Sequence, residues 1–248
     1  MLITTDGVVI SERDTGENDR IIEILSAEYG IVEISVKGAR KITGKNNSST
    51  QLFAYSDFCY NERGGRYYLN SSEPIHIFYN IRLDMKKLAL ACYFAELVKY
   101  TTTAQQSAKD ISRLMLNTLH FLSEGTRSCE FLKSVFEFRL MSEIGLLPQL
   151  IGCRECYCYE SDEMYFIVNK AMLLCGNHFS GEENYYNIRL TPSLLHTMRF
   201  ICLAEMERLF NFKISDKTQS KLNEITEKYI LTHLSARFKT LEFYKTLL

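Results

Sequence analysis

Two short pairs of metal-ligating side chains, Cys153-Arg-Glu-Cys156 and Cys175-Gly-Asn-His178, are separated by eighteen residues. Two residues between cysteines let both sulfurs of such a turn reach one ion at about 2.3 Å, and a second pair completes the tetrahedron that structural zinc prefers. The spacing falls in the range of paired zinc knuckles. Between the pairs, Met164 to Val168 and Ala171 to Leu174 are apolar stretches around Asn169-Lys170, a hairpin that brings the two pairs together. The expectation is a zinc-ribbon-like module holding one structural Zn2+ on Cys153, Cys156, Cys175 and His178. Cys158 is an alternative to Cys156, although the single residue between them makes joint use awkward. With four protein ligands no coordination position is left open for catalysis, and no His-x-Glu precedes a Pro-Cys-x-x-Cys as in nucleobase deaminases.

A second cluster is basic. Lys37, Arg40, Lys41 and Lys45 place four cations in nine residues, in a glycine-punctuated loop leaving an alternating segment. Phosphate contacts need such local donors, and glycines let backbone N–H groups join them. The net charge is only −1, so any affinity for nucleic acid has to come from local clustering of this kind. Tyr55, Tyr60, Tyr67 and Tyr68 lie on neighbouring segments and either stack on bases or fill a barrel core.

No catalytic residue is expected. The chain has no His-Glu-x-x-His, P-loop, Gly-x-Ser-x-Gly or dinucleotide-binding fingerprint, and His76, His120, His196 and His233 each stand alone. Hydrophobic residues make up 46% and charged residues 24%, which is ordinary globular usage. There is no apolar run of about 18 residues and no basic-then-apolar leader, so a cytoplasmic protein without membrane attachment is expected, its eight cysteines serving as thiols or ligands.

The elements that must position these groups change character near residue 80. Before it, Val32, Ile34 and Val36 alternate with Glu33, Ser35 and Lys37, the period of a half-buried strand. Gly7 to Ser11, Arg20 to Leu25, Phe53 to Tyr60 and Arg66 to Leu69 complete five strands, with turns at Glu28-Tyr29-Gly30 and Asn61 to Gly65. Five short strands in so little chain fit a small OB-fold barrel. After it the period is helical: Leu83, Leu90, Phe94, Leu97 and Val98 form one stripe, and Ile111, Leu114, Met115, Thr118, Leu119 and Leu122 a second. Ser107-x-x-Asp110 reads as a capping box and Gly125 as a stop. Further helices are expected from Cys129 to Glu143, from Thr191-Pro192 onward, and from Asp216 to Ala236. The predicted architecture is α+β: an OB-fold DNA-binding domain over 1–80, then a helical domain over 81–248 with the zinc module at about 150–181.

Gly16-Glu17-Asn18-Asp19-Arg20, Tyr29-Gly30, Val36-Lys37-Gly38-Ala39-Arg40-Lys41, Tyr93-Phe94-Ala95-Glu96-Leu97, Phe136-Glu137-Phe138-Arg139-Leu140 and Gly145-Leu146-Leu147-Pro148 follow one another in an order that resembles the RecO family over nearly the whole chain. The resemblance implies an N-terminal OB-fold and a helical domain interrupted by the zinc module. It also implies a nucleoid-associated recombination mediator that binds single- and double-stranded DNA, anneals complementary strands, partners RecR and helps load recombinase onto strands coated with single-strand-binding protein. His178 stands where many relatives use a fourth cysteine. The competing expectation is a zinc-stabilised protein-interaction scaffold whose DNA contact is incidental.

Overall fold

Alternation of β-branched and polar residues dictates the first half of the fold. In the computed structural model, which describes residues 2–39, 46–181 and 186–248, five strands close into a barrel: β1 (Leu2–Thr15), β2 (Asp19–Ser26), β3 (Gly30–Val36), β4 (Ala54–Arg63) and β5 (Arg66–Ile77). The order around it is β1-β2-β3-β5-β4, with β1 pairing back onto β4. All neighbours are antiparallel except β3 and β5, which run parallel through Ile34 and Tyr67, the connectivity of an OB-type barrel. Val9, Ile22, Ile24, Val32, Ile34, Val36 and Phe58 face inward, each 6% exposed or less. Val32, Ile34 and Val36 thus occupy the interior as their spacing predicts.

Three helices belong to the same compact unit as the barrel, which comprises Met1–Thr126 and Phe238–Leu248. They are α1 (Met85–Thr101), α2 (Lys109–Glu124) and, after the intervening part of the chain, α6 (Lys239–Lys245). Asp84 caps α1 by accepting from the Lys86 and Lys87 N–H groups, so Leu83 lies before the helix and is exposed. The capping box expected at Ser107 does not form: Ala108 is the N-cap, and the Ser107 hydroxyl donates to the Ala27 carbonyl in the β2–β3 turn. The main chain of the α1–α2 connection adds Gln105 N–H to Tyr29 O and Ala108 N–H to Ala27 O, both at 2.9 Å. The Ala27 carbonyl thus accepts from both the Ser107 hydroxyl and the Ala108 N–H, and the serine is taken up by the barrel turn rather than by the start of α2.

The second unit is Arg127–Arg237. It contains α3 (Cys129–Glu143), α4 (Pro192–Leu203), α5 (Asp216–Leu234) and a four-stranded sheet of β6 (Gln149–Cys153), β7 (Met164–Ile167), β8 (Met172–Cys175) and β9 (Asn187–Leu190) in the order β6-β8-β7-β9. Helix α4 opens as the sequence predicts, with Thr191 accepting from Leu194 N–H and Pro192 in its first turn. Lys133 on α3 is buried between Glu137 at 2.9 Å and Glu227 of α5 at 3.0 Å, and Thr226 donates to the other Glu137 oxygen. Every charge in that cluster has a partner, which a buried ion requires. Strand-to-helix change near residue 80 and the boundary between packing units are therefore different places. Among the described residues no helix is long and apolar enough to cross a membrane.

Gly30 tests the fit of barrel and connection. Its φ is +64°, and an added Cβ would lie 2.7 Å from the Gln106 carbonyl oxygen and closer still to that of Thr103. Gly64 has a similar φ of +59° with open space around it. Left-handed backbone alone costs a non-glycine residue roughly 1–2 kcal/mol. Gly64→Ala is expected to lose only that, whereas Gly30→Ala should lose clearly more and melt several degrees lower in a calorimetric comparison; equal melting temperatures would refute the packing described.

Candidate metal centre and nucleic-acid interface

The segment carrying the cysteine pairs folds as two tight turns at the ends of neighbouring strands. Strand β6 delivers Cys153, whose carbonyl accepts from Tyr157 N–H at 2.9 Å to close the first turn. Arg154 N–H donates to the Leu173 carbonyl at 2.8 Å, which fixes that turn beside β8. Strand β8 ends at Cys175, whose carbonyl accepts from both His178 and Phe179 N–H groups at 3.0 Å. Strands β7 and β8 pair antiparallel as the hairpin expected from the apolar stretches, with Ala171 in the left-handed region at the turn. Tyr165 on β7 stacks on Phe179 with ring centroids 3.9 Å apart, so the second turn is buttressed from the sheet.

This folding brings Cys153, Cys156, Cys175 and His178 together, all four ligand atoms lying within 4.8 Å of one another. The sulfurs of Cys156 and Cys175 are 3.8 Å apart; His178 Nδ1 is 3.2 Å from the Cys175 sulfur and 3.8 Å from that of Cys153. A tetrahedron with metal–sulfur bonds of about 2.3 Å has edges of about 3.8 Å, so the cluster has the size a tetrahedral ion needs. Three thiols and an imidazole can hold a metal ion. Cys153 and Cys175 are buried, whereas Cys156 and His178 are exposed.

The cluster favours thiolate at one position before any ion is considered. Burial works against ionisation of Cys153, but backbone N–H groups of Cys156, Cys175 and Glu155 bond its sulfur and bring the thiol down to about 6. Burial pushes Cys175 up. Cys158 is outside the tetrad, and its hydrogen bond to the Cys156 thiol is the largest of the causes that push it up to about 12.

Sequence reasoning missed the residue that ties this module to the helices. Arg199 on α4 is 7% exposed. Its Nε donates to Leu150 O at 2.7 Å, and its Nη2 to Ile151 O at 3.0 Å and Tyr159 O at 2.6 Å, with its guanidinium 3.8 Å from the Tyr159 ring centroid. One side chain thus holds the chain on both flanks of the first turn. The signal in the sequence is an arginine beside Met198 on the stripe of a helix that is otherwise apolar. On the other side His233 of α5 has Nε2 2.8 Å from the Val168 carbonyl, giving this lone histidine a structural place.

The basic loop begins on the barrel. Lys37 is exposed just beyond β3, while Arg40, Lys41 and Lys45 lie outside the described residues. The near end is anchored by Gly38 N–H donating to Asp19 Oδ1 at 2.9 Å and by buried Ala39. At the far end Ser49 and Thr50 are fully buried, Ser49 hydrogen-bonding Ser72 at 2.6 Å and accepting from Ser56 Oγ at its carbonyl at 2.9 Å. Tyr60 is core, 1% exposed, and meets Tyr67 edge-on at 5.2 Å. Tyr67, Tyr29 and Arg66 line a barrel groove of about 670 Å³; Tyr55 donates to Asp6 instead.

Comparison with known proteins divides the chain at the same change from strands to helices near residue 80. The family description "Recombination protein O N terminal" matches residues 1–78, and "Recombination protein O C terminal" matches residues 82–242. The chain belongs to the RecO family. It is 32% identical over 245 residues to "DNA repair protein RecO" of Acetivibrio thermocellus, covering 99% of this chain and 97% of that relative. The protein of the same name from Alkaliphilus metalliredigens is 30% identical over 246 residues, covering 99% of each chain. That of Bacillus subtilis is 26% identical over 243 residues, covering 98% of this chain and 94% of its own. The two family descriptions together account for nearly the whole chain.

Arg199→Met keeps the volume of the side chain and removes the three donors. Hydrogen bonds from a charged group contribute about 1.5–3 kcal/mol each, and stranded carbonyls add cost. The variant is expected to lose at least about 2 kcal/mol in a denaturant titration; a change below about 0.5 kcal/mol would show that the flanks of the turn hold themselves.

Proposed function

We propose that this chain is a non-enzymatic DNA-binding recombination mediator. In this reading it anneals complementary strands and helps load recombinase onto DNA coated with single-strand-binding protein, acting with RecR in DNA repair. The observation that carries the reading is the closed OB-type barrel bearing a loop that starts at exposed Lys37, within a chain of the RecO family. The relatives' name, DNA repair protein RecO, supports the same process. Residues 1–80 serve as the DNA-binding domain, and Lys37, Arg40, Lys41 and Lys45 supply phosphate contacts that position the strand without reading its sequence. Residues 81–248 form the helical domain carrying the metal module. The ion is one structural Zn2+: three sulfurs and a nitrogen at tetrahedral spacing are its preferred donor set, and it would hold together the two turns of a sheet too small to do so itself. The protein works in the cytoplasm at the nucleoid.

A protein-interaction scaffold is the second reading, and it has its own support. Ile151 and Tyr157, beside the first cysteine turn, are 76% and 78% exposed, and Leu203 is 64% exposed. The three line one cleft, and a contiguous exposed apolar patch marks an interaction site where scattered apolar residues do not.

One measurement separates these readings and a second tests the metal. Fluorescence polarisation with single-stranded DNA at several salt concentrations should give a log–log slope near −0.7 per phosphate contact, so about −2 to −3 for a few engaged cations. Replacing all four cations with alanine should flatten the slope and weaken binding alike across sequences; unchanged affinity and slope would remove the loop from the DNA site. Metal analysis of purified protein should return about one zinc per chain, and Cys175→Ser should release it with a fall in melting temperature. Protein free of zinc whose melting is indifferent to chelator would sink the zinc assignment but leave the DNA reading standing.

A further inference from the structure

The barrel closes over unequal lengths. Strand β2 pairs with β3 along the whole of β3, from Arg20–Val36 to Ser26–Gly30, whereas among the described residues β3 meets β5 only at Ile34–Tyr67 and Ser35–Tyr68. Ala104 of the α1–α2 connection bridges Gly30 at the start of β3. Between these two points, at Ile31 to Glu33, no strand pairs with β3 on its β5 side, and the groove of about 670 Å³ opens there. Pockets for small organic groups run from about 300 to 1,000 Å³.

Aromatic faces, charge and free polar groups all converge on this opening. Tyr60 belongs to the core, while Tyr29 and Tyr67 pack against it from the margin and stay partly exposed. The edge-on contact of Tyr60 with Tyr67, at 5.2 Å and 70°, uses one face of one ring, and Tyr29 makes no ring contact among the described residues. Each carboxylate in the lining already has a cation, Glu23 with Lys99 and Glu33 with Arg13 at 2.8 Å, whereas Arg66 has no ion pair among the described residues. The lip is not part of the barrel: Gln105 of the α1–α2 connection stands at φ +62°, with its N–H tied to the Tyr29 carbonyl at 2.9 Å. Left-handed backbone at a residue other than glycine is strained, and such strain gathers at ligand clamps. The Gln105 amide and the Ser35 hydroxyl both line the groove, and neither side chain has a hydrogen-bond partner among the described residues.

We propose that this groove takes a nucleobase of single-stranded DNA turned out of its stack, held on the rings of Tyr29 and Tyr67, with Gln105 and Ser35 bonding its edge and Arg66 its phosphate. The inference rests on the DNA-binding reading above and adds a preference to it. A base in a duplex is paired and stacked, so it enters only at the cost of unpairing, whereas a base in a single strand is free to turn. Stacking accepts every base because every base has a π-face, so the groove selects strandedness and not sequence. It also divides the work of binding: the cations near Lys37 hold phosphates, and the tyrosines hold what phosphates cannot distinguish.

Fluorescence polarisation with a single strand of thymidines and with the same strand made abasic isolates the bases, because the abasic strand keeps every phosphate. Full-length wild type should bind the abasic strand at least about five-fold more weakly, the smaller end of what one stacked base contributes. Tyr29→Leu and Tyr67→Leu keep an apolar side chain against the core and remove the ring. They should weaken binding of the intact strand by a similar factor and narrow the gap between the two strands, with the salt slope and the affinity for duplex left as in wild type. Equal binding of both strands by wild type, full affinity in both variants, or an equal loss on single strand and duplex overturns the proposal and leaves the uncovered stretch of β3 to a polypeptide strand. Wild type that binds no DNA at any salt concentration overturns instead the DNA reading on which the inference depends. Should the variants fold poorly, a strand carrying 5-iodouracil is photo-crosslinked to wild type: the adduct should map to Tyr29 or Tyr67, and adducts confined to other residues overturn the proposal.

Discussion

Strands of four or five residues present too little apolar surface to fix their own arrangement, and every strand of the β6–β9 sheet is that short. The second unit depends on overcoming this constraint. It does so by adding point attachments to the small core that Phe166, Ile167, Leu173 and Ile188 bury: four ligand atoms within 4.8 Å at one end of the sheet, the Arg199 guanidinium on three carbonyls at its edge, and His233 against the turn after β7. Each attachment joins segments remote in sequence, which is where fixing a loop removes the most freedom from the unfolded chain. A ligand cluster also specifies geometry more narrowly than packing does, since a tetrahedron admits one set of distances.

The barrel solves the opposite problem. Its strands are long, its interior is filled by β-branched and aromatic residues, and closure of β1 onto β4 leaves no edge between them. Precision is needed only where the chain leaves the cylinder. The loop that starts at Lys37 departs between Gly38, tied to Asp19, and Ser49, tied to Ser72, so its two feet are fixed in the wall.

How much of this was legible in the sequence follows from the range of each interaction. Alternation at Val32, Ile34 and Val36, the Thr191-Pro192 helix start, and the cysteine spacing are local signals, and each corresponds to an observed element. Ser107 was misread because its partner, the Ala27 carbonyl, is eighty positions away in the chain. Strand β1 runs from Leu2 to Thr15 and exceeds the expected Gly7 to Ser11 because it is paired on both sides, to β2 and β4, and pairing extends a strand beyond its own propensity. Arg199 escaped notice because its hydrogen bonds all go to backbone carbonyls, which carry no residue type to look for. Helix α6 has seven residues, too few for a periodic signal.

The barrel unit is interrupted in sequence. Residues 127–237 form a unit of their own, and only afterwards does Phe238–Leu248 return to the first, where Phe238 meets Tyr93 and Tyr100 edge-on at 6.0 and 5.6 Å and Thr240 N–H donates to Glu96 at 3.1 Å. A ribosome adds about 5–20 residues per second, so the surface of α1 that receives this segment waits on the order of ten seconds while the second unit is made. During that interval the aromatic rings of Tyr93 and Tyr100 have no Phe238 to cover them. The nascent chain consequently passes through a stage in which its inserted unit can be complete and its first unit cannot, and the older part of the protein is the last to be finished.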